Sequence, residues 1–451
     1  MISKIKTDYK VSGVWAGYIG SVLAAVLSDN GANVTAIDIN PKVIELINKG
    51  ISPIEEPGLE ELIQKNVHAK RLIGTTDISS ISNSDVILLT VGTPLSDDGS
   101  IDKKALQAAI KNISPYVKDD QLIIVKSTVS PYSTENEVAK PLRKNANVFV
   151  SFCPERLSEG NAINGFKTIP VIIGGVDNES GDRSEDFWKR YLNVECIRLD
   201  NARAAELVKL ADNSWIDLNI ALAFELAKVA DKLDVDVLPV IKAANSLPKG
   251  EHNVNILLPS IGVGGYCLTK DPWFLNKFAE GVGETFHTTK ISRTVNDEMP
   301  QYSTKRILET INKNFSSIKK DKLKICLLGL SFKSNTGDCR FTPTIPIVKS
   351  LISEGYMVTA YDKFISEDDF KLFENLNRSD SINEALTNSH VVVFLCGHDE
   401  FKNIDIDIFK KLLKPNAFVY DGRMYFNKNK IREFRNANFI FKGVGRWRKK
   451  F

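Results

Sequence analysis

Hydrophobic and polar positions follow three different patterns along the chain. In the first third, short apolar runs at 86–92, 122–129 and 147–153 alternate with segments of helical periodicity. Apolar runs of this length, rich in β-branched residues, are typical of buried parallel strands that lie between helices. Residues 1–200 are therefore predicted to form an α/β domain with a doubly wound sheet.

The middle of the chain has a helical period instead. From about residue 201 to 245 apolar residues recur every three to four positions, as in AAELVKLADNSWIDLNIALAFELAKVADKL. This spacing predicts one long amphipathic helix, or a helix with a break, and a second helix follows at VDVLPVIKAANS. We expect residues 201–311 to form a central helical region that joins two domains and supplies a dimer interface.

After a charged linker at 312–324 the α/β rhythm returns. Strands are predicted at the apolar runs 325–332, 356–364, 390–397 and 417–423. The stretches KICLLGLSFK and MVTAYD repeat the order of AGYIG and VTAID near the N-terminus, so residues 312–451 are predicted to form a second, degenerate nucleotide-binding fold. The predicted fold class is α/β, with two Rossmann-like doubly wound domains joined by a long-helix central region.

Composition narrows the possible partners. Of 451 residues, 43% are hydrophobic and 25% charged, which fits a globular protein with a buried core. The net charge of +3 is too mild to indicate nucleic acid but does not hinder an anionic ligand. The uncharged stretch 11–27 could be a signal peptide, but the turn and second strand that follow it favour a βαβ unit. No other run reaches the ~18 apolar residues of a membrane span, so we expect no membrane partner.

The cysteines and histidines give no metal pattern. The six cysteines and five histidines are scattered, without CxxC or zinc spacing, which predicts reduced thiols, a cytoplasmic protein and no metal. Cys326 and Cys396 lie in apolar strands and are predicted to be buried. Cys267 instead lies on the glycine-rich loop IGVGGYCLTKDPWFL, where glycines let a backbone approach a ligand closely and a lysine favours the thiolate. Taken alone, this thiol is either a nucleophile that forms a thioester or a small residue in a turn.

A possible dinucleotide site lies at the first βαβ turn. VSGVWAGYIG runs from strand to helix, and Asp38 closes the next strand, 18 residues beyond Gly20. This spacing predicts a pyrophosphate over Gly17 and Gly20 and an acid on the ribose, which selects NAD over NADP. Trp15 stands where GxGxxG would begin, and Gly13 gives GxxxGxxG instead. Either the turn is rebuilt or one residue has been lost, and a βαβ unit without a ligand stays open.

Several motifs together resemble one family almost end to end. They are GYIG and AIDIN, SPIEEPGLEELI (52–63), VGTPLSDDGSID (91–102), VKSTVSP (125–131), CPERLSEGNAI (153–163), AELVKLADN (205–213), GVGGYCLTKDP (262–272), GLSFKSNTGDCR (329–340) and YDGR (420–423). The chain resembles the UDP-glucose/GDP-mannose dehydrogenase family. The resemblance implies four-electron oxidation of the C6 alcohol of a UDP-sugar with two NAD, for the synthesis of surface polysaccharide precursors, and a homodimer or higher homo-oligomer.

The resemblance implies a chemical role for several residues. Cys267 would hold the aldehyde as a thiohemiacetal and then as a thioester. Lys209 would stabilise the oxyanion, with Asn213 one helical turn further on the same face. Asp271 would position or activate water, and Glu155 would do acid–base work.

The resemblance also implies binding roles. The cofactor set is Gly17, Tyr18, Ile19, Gly20, Asp38, Thr93, Thr128, Glu159, Lys270 and Arg340. The substrate set is Glu155, Arg156, Lys209, Asn213, Gly264 and Lys333. Simpler alternatives exist for some of these residues: Lys209 and Asn213 as a solvated helix face, Glu155 and Arg156 as a surface pair, and Asp271 as the start of a helix.

The identity of the sugar depends on a short motif. CPER, at residues 153–156, resembles the branch that oxidises UDP-N-acetylmannosamine or UDP-N-acetylglucosamine, whereas UDP-glucose members usually carry NPEF. UDP-glucose remains the alternative substrate. Two other hypotheses are an NAD-binding protein without turnover, which Trp15 would favour, and a β-hydroxyacid dehydrogenase, which lacks a second α/β domain and needs no Cys267.

Overall fold

The computed structural model describes residues 8–446, which divide into two compact units. The first unit runs to Asp212 and includes Trp273–Thr285, whereas the second comprises Asn213–Pro272 and the chain from Phe286 onward. The predicted division into regions 1–200, 201–311 and 312–451 stays a prediction. Most of the basic tail GRWRKKF, from residue 447 onward, lies outside the described residues.

The first unit is built on an eight-stranded sheet. Its strands are β1 (Lys10–Val14), β2 (Asn33–Ile37), β3 (Leu72–Thr75), β4 (Val86–Leu89), β5 (Leu122–Val125), β6 (Phe149–Phe152), β7 (Val171–Gly175) and β8 (Cys196–Leu199). They lie in the order β3-β2-β1-β4-β5-β6-β7-β8, and all neighbours are parallel except β6 and β7. Strands β4 and β5 are buried at every position, as their uninterrupted apolar sequences predict.

Helices follow the strands of this unit in a βα rhythm. They are α1 (Tyr18–Asp29), α2 (Pro41–Asn48), α3 (Leu59–His68), α4 (Lys104–Ile113), α5 (Lys140–Leu142), α6 (Ala162–Thr168) and α7 (Asn178–Leu192). A 3-10 helix spans Ile78–Asn83, and a π-helical segment, Thr134–Ala139, directly precedes α5. Two apolar clusters pack in this unit, which gives the sheet a core of the doubly wound type.

Four helices occupy the central part of the chain. They are α8 (Ala202–Leu233), α9 (Val237–Ala244), α10 (Asp271–Gly281) and α11 (His287–Asn314), and a short hairpin pairs β9 (Pro248–Lys249) with β10 (His252–Asn253). The long helix predicted from 201 is unbroken as far as Leu233. Helix α11 was not predicted, because its sequence is mostly polar and contains Pro300. The linker predicted at 312–324 is wrong at its first residues, which belong to α11.

The second unit carries a six-stranded parallel sheet. Its strands are β11 (Lys324–Leu328), β12 (Met357–Tyr361), β13 (Asn377–Arg378), β14 (Val391–Phe394), β15 (Phe418–Asp421) and β16 (Ile440–Gly443), in the order β13-β12-β11-β14-β15-β16. Its helices are α12 (Thr344–Ser353), α13 (Glu367–Phe370), α14 (Ile382–Leu386), α15 (Asp399–Lys402), α16 (Ile406–Leu412) and α17 (Lys428–Asn436), with a 3-10 turn at Lys320–Lys322. The strand order is that of a dinucleotide-binding fold, so the predicted fold class is confirmed.

The two sheets begin with the same turn. After β1, the Trp15 N–H donates to Ile37 O at 2.8 Å, and after β11 the Gly329 N–H donates to Tyr361 O at 2.9 Å. Both residues have a left-handed backbone, with φ of 86° at Trp15 and 82° at Gly329. The turn is therefore repeated in the second unit, with glycine at the position that tryptophan occupies in the first.

An acid follows the second strand in each sheet. Asp38 accepts the Ala16 N–H at 2.8 Å, and Asp362 accepts the Leu330 N–H at 2.7 Å. In the second unit Asp362 has a further partner, because His398 Nε2 lies 3.0 Å from Asp362 Oδ2 and both residues are buried. The second nucleotide-type fold thus keeps its acid but encloses it.

None of the helices formed by residues 8–446 has both the length and the apolar character needed to span a bilayer.

Candidate active site

The glycine turn of the first unit keeps its shape although Trp15 replaces a glycine. Its φ of 86° lies in the left-handed region that favours glycine and costs a bulky residue roughly 1–2 kcal/mol. Gly13 does not take over this role, since it stays within β1, paired with Ala36 and Leu88. The turn has therefore been neither rebuilt around Gly13 nor shortened by a residue.

The rest of this turn fits a dinucleotide. A Cβ on Gly20 would lie 2.0 Å from Trp15 O, so only glycine fits there. Helix α1 starts after Gly17 without a side-chain cap, which leaves its first N–H groups suited to an anion. Asp38 receives N–H groups from Ala16 and Asn40, both at 2.8 Å. These residues, together with Ile19 in the first turn of α1, lie where the sequence predicts that NAD binds, and this assignment stays a prediction.

The turn beside Glu159 is held by a buried carboxylate. Glu56 accepts N–H groups from Gly160 and Ala162, both at 2.7 Å, and the Tyr18 hydroxyl donates to the same side chain. Burial and the Glu56 carboxylate raise the pKa of Tyr18 well above its usual range. Sequence reasoning missed Glu56 as an individual residue, although the motif SPIEEPGLEELI contains it.

Two threonines of the predicted cofactor set lie beyond neighbouring strands. Thr93 is buried in the loop after β4, and Thr128 is half-buried shortly after β5. These positions share the carboxyl edge of the sheet with Asp38, and ligands of open α/β sheets bind at that edge.

The CPER segment uses its side chains in different ways. Cys153 is fully buried, its sulfur accepts the Trp188 Nε1–H at 3.2 Å, and burial raises the pKa of its thiol. Glu155 Oε1 accepts the N–H groups of Arg156 and Leu157 at 2.7 and 2.8 Å. The Arg156 side chain donates to Asp212 at 2.9 Å, so the hypothesis of a Glu155–Arg156 surface pair is wrong.

Lys209 and Asn213 lie one turn apart on α8. Their exposed fractions are only 7% and 8%. The alternative that they form a solvated helix face is therefore wrong.

Cys267, in the second unit, is exposed, whereas the other five cysteines of the chain are buried or half-buried. The turn that carries it leads directly into α10. Cys267 O accepts the N–H groups of Lys270 at 3.2 Å and Asp271 at 2.9 Å. Cys267 therefore lies on the turn four residues before the first residue of α10.

Asp271 links two other predicted site residues. Its side chain is fully buried; Oδ2 accepts Asn213 Nδ2 and Oδ1 accepts Lys270 Nζ, each at 2.5 Å. The ammonium of Lys270 also lies 5.0 Å from the Tyr266 ring centroid. Asp271 starts α10, as the simpler alternative supposed, and it also fixes an amide and a cation close to the cysteine turn.

The glycines before Cys267 allow the loop to pack closely against neighbouring side chains. A Cβ on Gly262 would lie 2.7 Å from Pro343 Cβ, and one on Gly264 would lie 2.5 Å from Phe332 Cβ. Gly265 combines a φ of 89° with a Cβ position 2.7 Å from the Phe332 ring. The sequence suggested close approach to a ligand, whereas the approach seen in the structure is to Phe332 and Pro343.

The same face of the loop borders a cavity of about 500 Å³ within the second unit. Gly264 and Lys333, both predicted to bind substrate, lie in its lining, together with Ser260, Lys402, Arg423 and Tyr425. The Arg423 guanidinium donates to Leu395 O at 2.7 Å and Phe332 O at 2.6 Å. Three cations in one cavity suit a diphosphate.

Arg340 lies beside the cysteine loop. Its carbonyl accepts the Gly265 N–H at 3.0 Å, and its guanidinium lies 5.8 Å from the Tyr266 ring centroid. The side chain is exposed and pairs with Asp338. The second unit thus brings together Cys267, Asn213, Asp271, Lys270 and Arg340 around one loop.

Two sheets of the nucleotide-binding type, with an exposed thiol on the turn before α10, are typical of a nucleotide-dependent enzyme. Within residues 8–446 no cluster of three or more metal-ligating side chains occurs. The absence of a metal cofactor stays a prediction.

Comparison with known proteins is consistent along the whole chain. Models of the UDP-glucose/GDP-mannose dehydrogenase family match its NAD-binding domain to residues 9–192, its central domain to 203–298 and its UDP-binding domain to 326–428. A UDP-N-acetyl-D-mannosamine dehydrogenase of Methanococcus maripaludis is 33% identical over 97% of this chain and 98% of that protein.

Solved structures agree with these matches. A UDP-D-ManNAc dehydrogenase from Pyrococcus horikoshii superposes with a TM-score of 0.86 at 29% identity, covering 97% of this chain and 99% of that chain. A UDP-glucose dehydrogenase from Pyrobaculum islandicum gives a TM-score of 0.86 at 25% identity, with 99% of each chain covered.

The chain belongs to the UDP-glucose/GDP-mannose dehydrogenase family, as the sequence motifs predict. It is an NAD-dependent oxidoreductase with a UDP-binding domain. Membership of this family excludes the β-hydroxyacid dehydrogenase hypothesis.

Proposed function

We propose that this enzyme oxidises the C6 alcohol of a UDP-N-acetylhexosamine to the carboxylate, with UDP-N-acetylmannosamine as the first candidate and UDP-N-acetylglucosamine as the second. The CPER motif and the similarity to UDP-N-acetyl-D-mannosamine dehydrogenases support this substrate class. The uronic acid product suits the synthesis of surface polysaccharide precursors, and the reaction would take place in the cytoplasm.

The proposed reaction passes through a covalent intermediate on the protein. Glu155 accepts the proton of the C6 hydroxyl as the first hydride leaves C6, which gives the aldehyde. Cys267 Sγ then adds to the aldehyde carbon, and the thiol proton passes to the oxygen, which gives a thiohemiacetal. Loss of a second hydride and a proton gives a thioester, and water cleaves the C–S bond to release the carboxylate and the thiol. Bound NAD would supply the hydride acceptor for each oxidation, which amounts to two NAD for each sugar.

The other residues stabilise charge and position the reacting groups. Lys209 and Asn213 are proposed to bind the oxyanion that develops at C6. Asp271 holds Asn213 and Lys270 in fixed orientations and positions the water that attacks the thioester. Arg156 and Glu155 are proposed to contact the sugar.

The nucleotide part is proposed to occupy the cavity of the second unit. Lys333, Lys402 and Arg423 would face the diphosphate, and Gly264 would border it. In the first unit, the cofactor would lie across the α1 turn at Gly17, Tyr18, Ile19 and Gly20. Asp38, Thr93, Thr128 and Glu159 would complete that site, with Lys270 and Arg340 on the nicotinamide side.

One observation carries this proposal. Cys267 is the exposed thiol, it lies on the turn that leads into α10, and the buried Asp271 that begins this helix anchors two further polar side chains. A structural glycine turn would not need a fully buried carboxylate bonded to an amide and an ammonium, because burying such charges costs free energy.

A substrate panel with NADH counted per sugar tests the proposal. We expect turnover with UDP-N-acetylmannosamine or UDP-N-acetylglucosamine, two NADH per sugar, and an adduct on Cys267 detectable by mass spectrometry. Preferential turnover of UDP-glucose would support the alternative substrate. Binding of NAD without turnover of any UDP-sugar would contradict the proposed activity.

Cys267→Ser is expected to lower acid formation by several orders of magnitude, because a serine hydroxyl is not appreciably ionised at neutral pH. The first hydride transfer need not vanish. Cys196→Ser is the matched control: this half-buried thiol has its pKa raised to about 11, chiefly by burial, and its loss should leave turnover intact. Near-normal acid formation by Cys267→Ser would remove the covalent mechanism.

We further propose that the enzyme is a homodimer through α8. Trp215, Leu218, Leu222, Val229 and Leu233 are between 40% and 67% exposed and recur at spacings of three, four and seven residues. They therefore form an apolar stripe along α8, on a different side from Phe224 and Ala227, which are fully buried in the core of the second unit. A second copy of the same helix matches such a stripe in length and character.

A further inference from the structure

A buried ammonium lies beneath the CPER segment in the first unit. Lys126 directly follows β5 and is only 5% exposed. Its Nζ donates to Cys153 O at 3.2 Å and lies 3.4 Å from Glu155 Oε2. The rings of Trp188 and Phe166 lie 5.1 and 5.9 Å from the same ammonium. Lys126 therefore has an aromatic surrounding and one carboxylate partner.

The position of the Glu155 carboxylate depends on this contact. Oε1 is fixed by two backbone N–H groups, those of Arg156 and Leu157. Oε2 is buried and makes no hydrogen bond to any of residues 8–446. The ammonium of Lys126 is the charge that compensates this oxygen and prevents the side chain from turning about its last bond.

A role in stability alone does not account for the pair. Removing two charges from water costs several kcal/mol per ion, and apolar side chains of similar volume often stabilise a fold equally well. The pair also lies at the end of β5, within two residues of Thr128, a residue proposed to line the cofactor site. A carboxylate held in one orientation at this edge of the sheet suits general base catalysis, because proton transfer needs a fixed geometry between base and hydroxyl.

We propose that Lys126 is a positioning residue that acts through Glu155: it fixes the orientation of the carboxylate group that exchanges a proton with the C6 hydroxyl of the sugar. This inference rests on the proposed function. Lys126 itself contacts neither sugar nor cofactor. Its contact with Cys153 O holds the ammonium under the CPER backbone.

A double-mutant cycle tests this role. Lys126→Met and Glu155→Gln should each lower kcat by about tenfold to a hundredfold, with the KM for the UDP-sugar and the Kd for NAD changed less than threefold. Lys126→Met combined with Glu155→Gln should be no slower than the slower single variant, because both changes disable one unit. The double variant also lacks an unpaired buried carboxylate, so it provides a folded sample if Lys126→Met alone unfolds.

Lys65→Met is the matched control, since it breaks an exposed ion pair with Asp29, 2.6 Å long, in the same unit. It should leave kcat unchanged. Losses of kcat that multiply in the double variant would overturn the inference. It would also be overturned if Lys126→Met lowered the NAD affinity and the melting temperature but not kcat. A normal kcat in Lys126→Met with a slow Glu155→Gln would also overturn it while leaving the proposed function in place. Absence of sugar oxidation by the wild-type enzyme would instead refute the proposed function.

Discussion

Trp15 places a large side chain at a backbone position that favours glycine. The equivalent position in the second unit is Gly329, with nearly the same φ and the same hydrogen bond. The indole Cδ1 lies 3.4 Å from the place where a Cβ on Gly17 would be, so the ring borders the start of α1. The strained backbone of Trp15 and the position of its ring beside Gly17 therefore have the same origin.

Trp15→Gly should bind NAD more tightly, by several-fold up to about tenfold, because a gain of 1.4 kcal/mol corresponds to a factor of ten. Titration calorimetry with NAD measures this change. Affinity for the UDP-sugar serves as the internal control and should not change. Equal NAD affinity in the variant and the wild type would show that the indole leaves the turn unobstructed.

Asp38 should determine which dinucleotide is used. Its carboxylate follows β2, is held by two backbone N–H groups, and would repel a 2′-phosphate on the ribose. We expect kcat/KM for NAD to exceed that for NADP by at least about tenfold. Asp38→Asn should narrow this ratio by raising the value for NADP. Equal rates of the wild-type enzyme with both dinucleotides would contradict this role.

At the level of elements, a buried acid ties α8 to the π-helical segment Thr134–Ala139. Glu206 is fully buried, its Oε1 accepts the Thr134 N–H at 2.7 Å, and burial raises its pKa to about 7. The native state therefore binds this proton more tightly than the unfolded chain. The free energy of unfolding should be highest below the ordinary value of 4.5 and should fall as the pH rises through about 7.

Glu206→Gln should remove this pH dependence, because the amide resembles the protonated acid. The variant should gain stability over the wild type between pH 5 and pH 8, by roughly 3 kcal/mol at most. Urea unfolding at both pH values measures the difference. Glu45→Gln, at an exposed ion pair with Lys49, is the control and should show no such gain. A difference between Glu206→Gln and wild type that is the same at both pH values would contradict the assignment.

The apolar stripe of α8 gives a prediction about assembly. Leu222→Glu, in the middle of the stripe, would place a charge where the proposed partner helix packs, so the variant should be monomeric by light scattering at micromolar concentration. Leu372→Glu, at an equally exposed leucine on another segment, should remain dimeric. A monomeric wild-type enzyme under these conditions would refute the proposed dimer.

For the whole molecule, local periodicity predicted the fold well. Short apolar runs predict strands β4, β5 and β14, and a period of 3.6 residues predicts α8. Both signals arise within a short stretch of sequence, so they can be detected without the structure. Helix α11 was missed because Pro300 and many polar residues obscure its period. The antiparallel contact of β6 with β7 could not be predicted either, because strand direction depends on how the intervening α6 returns the chain.

The site was only partly predictable, for a related reason. Motifs predicted site roles for Cys267, Asp271 and Asp38, because the roles proposed for them require particular residue types. Glu56 and Lys126 were missed because their importance depends on partners far away in sequence, which no spacing rule relates to them. Two features could not be predicted because they depend on backbone angles and on contacts with distant residues. One is the left-handed backbone of Trp15, and the other is the packing of the glycines before Cys267 against Phe332 and Pro343.

The enclosed Asp362 has a consequence for the order of events in a turnover. Of the two repeated turns, only the first leaves its acid without a histidine partner, so we expect the chain to hold one dinucleotide at a time. The two oxidations per sugar that we propose would then require the spent cofactor to leave and a fresh one to enter while the half-oxidised sugar stays behind. A freely diffusing aldehyde could escape during that exchange. A carbon–sulfur bond to Cys267 would retain it, so a second nucleotide fold closed by a histidine would give the proposed covalent capture a clear advantage.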